Sequence, residues 1–162
     1  MKLKVGIIGY GTMGRIRKDA IMELGKAEII AISEPNLPSN FTQFPNLQHE
    51  DIINHSEIGI IIICTPNFLN KSLTIQALNA GKHVFCEKPP AKTTEELKSV
   101  IKIENNSNLI LKYGFNHRYH YSVQEAKKRN PMGKNLIAFI SIAFNFDWTP
   151  SIPFEVLFLR RA

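Results

Sequence analysis

Ten residues constrain this chain more than any other stretch. Val5–Gly14 read V-G-I-I-G-Y-G-T-M-G, so an apolar run passes directly into Gly9, Gly11 and Gly14. The G-x-G-x-x-G spacing gives each glycine its own task. Gly9 permits a tight strand-to-helix turn. Gly11 has no Cβ and lets a pyrophosphate approach the main chain, and Gly14 allows the next helix to pack close to a sheet. Thr12 and Met13 lie between the last two glycines, in the first helical turn. Amide N–H groups there have no intrahelical acceptor, and the helix dipole favours an anion. An acid, Glu34, follows twenty positions beyond Gly14. Strand, glycine turn, helix and distant acid together predict a dinucleotide-binding unit, where the spacing alone would be a weak signal.

Along the chain, strands and helices alternate. Leu3–Ile8 reads as a strand and Thr12–Leu24 as a helix, with Met13, Ile16, Ala20 and Leu24 as its apolar face and Gly25 ending it. Ala27–Ser33 is a second strand, and Pro35 and Pro38 break any continuation. The polar stretch Asn36–Leu47 reads as a loop with a short strand near Phe41–Phe44. A short helix over His49–His55 precedes the strand Gly59–Cys64, whose isoleucines suit burial on both faces. Thr65-Pro66-Asn67 leads into a helix through Ala80, closed by Gly81, and Lys82–Cys86 is the next strand. Thr93 and Glu96 have capping-box spacing at the start of another helix, and Leu109–Tyr113 is a strand. This alternation predicts an α/β fold, a doubly wound parallel sheet of Rossmann type. After Gly114 the pattern changes: Tyr121–Lys128 reads as a helix and Asn135–Phe146 as a long β-like run. A boundary near Asn116 divides a dinucleotide-binding domain, residues 1–116, from a second domain, residues 117–162.

Composition excludes several classes. Hydrophobic residues make up 44% of the 162 and charged residues 21%, the balance of a soluble globular protein. No apolar run approaches the ~20 residues of a membrane helix. The N-terminal stretch is cut by glycines and followed by Arg15, Arg17 and Lys18, unlike a signal peptide. A cytoplasmic protein without a membrane partner is expected. Cys64 and Cys86 lack metal-ligand spacing and are expected to be reduced and structural. The net charge is +6, and Lys127-Lys128-Arg129 with Lys134 form a basic cluster. No aromatic-interleaved basic stripe accompanies it, so it reads as a solvated helix end and not as a nucleic-acid surface.

Glu34 should stand just beyond the second strand. A carboxylate there accepts both ribose hydroxyls of an adenosine and repels a 2′-phosphate, which favours NAD over NADP. Arg15 and Arg17 keep NADP open, since either can reach a 2′-phosphate; their alternative reading is a solvated helix face.

Four motifs occur in order: the glycine turn, C-T-P-N (Cys64–Asn67), G-K-H-V-F-C-E-K-P (Gly81–Pro89) and G-F-N-H-R-Y-H (Gly114–His120). Together they resemble the glucose–fructose oxidoreductase, inositol dehydrogenase and rhizopine-catabolism group, the Gfo/Idh/MocA family. The resemblance implies an N-terminal NAD(P)-binding domain, a C-terminal α/β domain with an open sheet, and hydride transfer at a carbinol carbon of a sugar or cyclitol. It implies that Gly9, Gly11 and Gly14 form the pyrophosphate turn and that Thr65, Pro66 and Asn67 touch the cofactor. Glu87 matches the acid near the nicotinamide ribose, and Lys88 the lysine facing the reacting hydroxyl. Pro89 matches a proline whose peptide bond is often cis, and Asn116 and Arg118 an N-x-R element opening the second domain. The chemistry of Lys88 then follows: an ammonium in a dry cleft stabilises the alkoxide that develops as hydride leaves. Histidine is frequent in the family at the positions of Arg17 and Asn70. The D-x-G-x-H element that completes family sites has no match here, and His117 and His120 lie too early to supply it.

The second domain is read as a truncated fragment with one helix and one clear strand. An unpaired strand at Leu136–Phe146 would pair with another copy into a homo-oligomer, fold back on the first domain, or aggregate. Two functions stay open: an NAD(P)-dependent oxidoreductase, and a dinucleotide-binding module without turnover.

Overall fold

A computed structural model describes residues 2–129. The expected strand at Asn135–Phe146, the tail beyond it and Lys134 lie outside the described residues. The chain divides into two compact units, one ending at Gly114 and one beginning at Phe115.

The first unit holds one sheet of five parallel strands: β1 (Leu3–Ile8), β2 (Ala27–Ser33), β3 (Ile60–Ile63), β4 (His83–Cys86) and β5 (Leu111–Tyr113). Their order is β2-β1-β3-β4-β5. Between them run α1 (Thr12–Leu24), α2 (His49–Asn54), α3 (Asn67–Asn79) and α4 (Thr94–Asn105). The β1-to-β2 crossover runs one way along the sheet and the later crossovers run the other. Right-handed connections therefore put α1 on one face and α2, α3 and α4 on the opposite face.

The core follows that division. Ile52 and Ile53 of α2, Leu73, Ala77 and Leu78 of α3, and Val100 of α4 pack with Ile8, Ile61, Ile63, Val84 and Cys86. On the other face Val5, Ile7, Ile32 and Ile62 pack with Ile21 of α1 and with Leu37, Phe41 and Phe44. Alternate isoleucines of β3 serve opposite faces, as a strand covered on both sides requires. The reversal of winding leaves a crevice at the carboxyl ends of β1 and β3, the usual ligand position in such sheets.

Two local expectations change. The stripe Met13, Ile16, Ala20 and Leu24 does not face the sheet: Ile16 is 48% and Leu24 63% exposed, and Gly14 is the buried residue of α1. Helix orientation is set by close approach at Gly14, which turns Ile21, seven residues on, toward the core. Phe41–Phe44 form no strand; one isolated bridge, Ile32 to Asn46, ends the pairing, and the two phenylalanines pack as side chains. At α4, Thr93 Oγ1 accepts the Glu96 N–H at 3.2 Å as a capping box requires, and the Glu96 carboxylate accepts the Lys92 N–H at 2.9 Å in addition to the Thr93 N–H.

The second unit opens with a 3-10 helix, Asn116–Tyr119, followed by α5 (Tyr121–Arg129). Lys128 in the last turn of α5 pairs with Glu125 at 2.8 Å and is exposed. No helix among the described residues is long and apolar enough to cross a membrane. Cys64 and Cys86 are free thiols.

Candidate functional site

The glycine turn sits where β1 ends. Gly9 has φ +88°, the left-handed region, and a Cβ there would lie 2.5 Å from the Cys64 carbonyl oxygen. A Cβ on Gly14 would lie 2.2 Å from the Gly9 carbonyl oxygen, so α1 starts hard against the turn. At Gly11 a Cβ would meet nothing within 4 Å. Gly11 also precedes α1 without a side-chain cap, and the first turn of α1 holds no acid. Open space, the uncapped amides of Thr12 and Met13 and the absence of a competing carboxylate fit a diphosphate.

Glu34 stands just past β2, half-buried. Its Oε2 accepts the Tyr10 N–H at 2.9 Å and its Oε1 accepts the Asn36 N–H at 3.2 Å. The Asn46 side chain brackets its backbone, accepting the Glu34 N–H and donating to the Glu34 carbonyl, both at 3.0 Å. The carboxylate is thus fixed beside the glycine turn, and each oxygen keeps a lone pair for a ribose hydroxyl. Tyr10, between the first two glycines, is buried against Phe41 and Phe44 in edge-on contacts with centroids 5.6 and 6.2 Å apart. Burial pushes its phenol above the usual range. Arg15 lies on the same side, with its guanidinium 5.8 Å from the Tyr10 ring centre and its Nε donating to the Tyr10 carbonyl at 3.4 Å.

The two arginines of α1 separate. Arg17 does not lie on a solvated face: its Nε donates to Glu87 Oε1 at 2.7 Å, its Nη2 pairs with the same oxygen, and its guanidinium covers the Phe85 ring at 4.8 Å. Arg15 is therefore the arginine left at the glycine turn, against Tyr10.

Glu87 follows β4 directly. It is 6% exposed, and its N–H continues the ladder by donating to the Ile63 carbonyl at 2.9 Å. Its carboxylate rests on Gly114, where a Cβ would lie 2.7 Å from Glu87 Oε2. Lys88 is exposed, and the Lys88–Pro89 peptide bond is cis. Across the crevice, Thr65, Pro66 and Asn67 form the loop from β3 into α3, with Pro66 preceding the helix. Thr65 Oγ1 donates to Asn70 Oδ1 at 3.1 Å, and Asn70 Nδ2 donates to the carbonyls of Glu87 (3.0 Å) and Pro89 (2.9 Å).

The fold thus gathers the glycine turn, Glu34, the Thr65–Asn67 loop and the Glu87–Pro89 turn at the carboxyl ends of β1 to β4. Asn116, in the 3-10 helix with His117, belongs to the second unit. Sequence reading missed Tyr10, the partnership of Arg17 with Glu87, the clamp made by Asn70, and the packing role of Gly114. A faint trace of two was present, since Arg17 and Asn70 both stand where the motifs resembled here usually carry histidine.

A parallel sheet with this winding reversal, and an uncapped helix opening on an unfilled glycine turn, define a Rossmann domain for a nicotinamide dinucleotide. The profile described as an oxidoreductase family with an NAD-binding Rossmann fold matches residues 3–115. The chain belongs to that family, Gfo/Idh/MocA. It is 33% identical over 141 residues to levoglucosan dehydrogenase of Pseudarthrobacter phenanthrenivorans, a match covering 78% of this chain and 36% of that enzyme. With glucose-6-phosphate 3-dehydrogenase of Bacillus subtilis the identity is 34% over 122 residues, covering 72% and 34%. The crystal structure of myo-inositol 2-dehydrogenase from Lactobacillus plantarum superposes with a TM-score of 0.70 at 26% identity, covering 91% of this chain and 51% of that one. The chain therefore spans well under two thirds of the length of these relatives.

Proposed function

We propose that the first unit binds NAD through the residues gathered above and serves as the cofactor half of an oxidoreductase acting on a hydroxyl of a sugar or cyclitol. The single observation carrying this is the unfilled space at Gly11 in front of an uncapped α1, with Glu34 held beside it. The bound dinucleotide supplies the hydride acceptor or donor. The amides of Thr12 and Met13 receive the diphosphate charge, with Gly9, Gly11 and Gly14 giving it room. Glu34 accepts the adenosine ribose hydroxyls and disfavours a 2′-phosphate, while Arg15 on the Tyr10 ring keeps NADP the second cofactor to examine. Thr65, Pro66 and Asn67 border the cofactor from β3, and Glu87 stands at the nicotinamide ribose. The Lys88 ammonium stabilises the alkoxide that develops as hydride leaves. Asn116 is assigned a cofactor contact by its N-x-R motif alone, and the domain division at residue 116 rests on the change of pattern after Gly114.

Calorimetric titration of the full chain with NAD, NADH, NADP and NADPH tests this. Glu34→Ala should lose about 1–3 kcal/mol of NAD binding, the range for hydrogen bonds to a charged group, and less of NADP binding. Unchanged NAD affinity would remove Glu34 from the site. A turnover assay with levoglucosan, glucose 6-phosphate and myo-inositol, followed by NADH absorbance, then separates an enzyme from a binding module that holds the cofactor without reaction.

A further inference from the structure

Asn70 is a polar side chain with 0% exposure and the fourth residue of α3. Such an amide is costly to bury unless its donors and acceptor are used. Here both amide bonds of Nδ2 go to the main chain of one short turn, to the carbonyl before Lys88 and the carbonyl of Pro89 after it. Its Oδ1 takes the Thr65 hydroxyl from the neighbouring loop. The residue therefore holds the backbone on both sides of Lys88 and ties it to the loop after β3. An exposed lysine on a turn would otherwise sample many positions. Two fixed carbonyls confine its Cα, from which the side chain extends on four rotatable bonds.

We propose that Asn70 is the positioning residue that sets where Lys88 stands against the bound dinucleotide. This rests on the cofactor site argued above. Asn70→Asp is the informative variant: it keeps an acceptor for Thr65 but replaces the nitrogen that carries both donors with an oxygen that repels the two carbonyls. Acylation of Lys88 by trace acetic anhydride is measured on the full chain by peptide mass spectrometry, with and without saturating NADH, and exposed Lys98 serves as the internal reference. In the parent, NADH should slow acylation of Lys88 relative to Lys98. In Asn70→Asp this protection should fall at least about tenfold, because displacements near 1 Å are enough to spoil an aligned site. If Asn70→Asp does not fold, Thr65→Val, which cuts only the tie between the loops, should lose part of the protection. A purely structural role predicts a lowered melting temperature with Lys88 protection intact, and that result overturns the proposal. Parent protein that binds NADH with no change at Lys88 also overturns it, leaving the cofactor reading in place. Parent protein that binds no NADH overturns both.

Discussion

Glu87 carries a charge into a place with 6% exposure, and Arg17 neutralises it from α1. Breaking one side of such a pair leaves a buried charge uncompensated, which costs more than the pair itself contributes. Arg17→Ala should therefore destabilise the chain by about 3 kcal/mol, read from urea denaturation. Arg17→Ala combined with Glu87→Gln should recover part of that loss, because the second change removes the stranded charge. Double-variant stability no better than Arg17→Ala alone would show that Phe85 packing, and not charge, accounts for the effect. Gly114 belongs to the same arrangement, since the carboxylate occupies the volume of its absent Cβ.

The glycine turn and α1 behave as one element, and its three glycines differ in kind. Added volume at Gly14 strikes backbone at 2.2 Å, whereas at Gly11 it meets open space. Gly14→Ala should thus destabilise folding by about 1–3 kcal/mol through overpacking. Gly11→Ala should leave the melting temperature nearly unchanged and weaken NAD binding by on the order of tenfold, about 1.4 kcal/mol. Differential scanning fluorimetry beside calorimetric titration separates the two effects; equal loss of stability in both variants would contradict the division of roles. The same element shows how pattern can mislead. Met13, Ile16, Ala20 and Leu24 have helical spacing, yet closeness at Gly14 decides which side of α1 meets the sheet, and the outward side keeps its apolar residues.

At the scale of the whole molecule, burial governs the response to alkali. It pushes the thiols of Cys64 and Cys86 from 9.0 up to about 12, and raises the Tyr113 phenol in the same sense. The folded chain thereby favours the protonated forms. Their contribution to stability is complete below the unfolded values and is lost as pH rises from 9.0 toward 12. The urea midpoint should hold steady near neutrality and fall above pH 9.0, with a shallower fall in Cys86→Ala; a flat alkaline limb would contradict this. Much of the fold was legible in order along the chain. The glycine turn, the isoleucine run of β3 and the capping threonine of α4 are local signals, because backbone freedom, strand burial and end-capping act over a few residues. Its distance from Gly14 marked Glu34, and family motifs marked Thr65 and Lys88, for the same reason. What only tertiary structure decided is how distant groups meet: Arg17 with Glu87 seventy positions away, Asn70 with the turn around Lys88, Tyr10 with Phe41 and Phe44. Those contacts depend on strand order and on the reversal of winding after β2, which no short window of sequence contains.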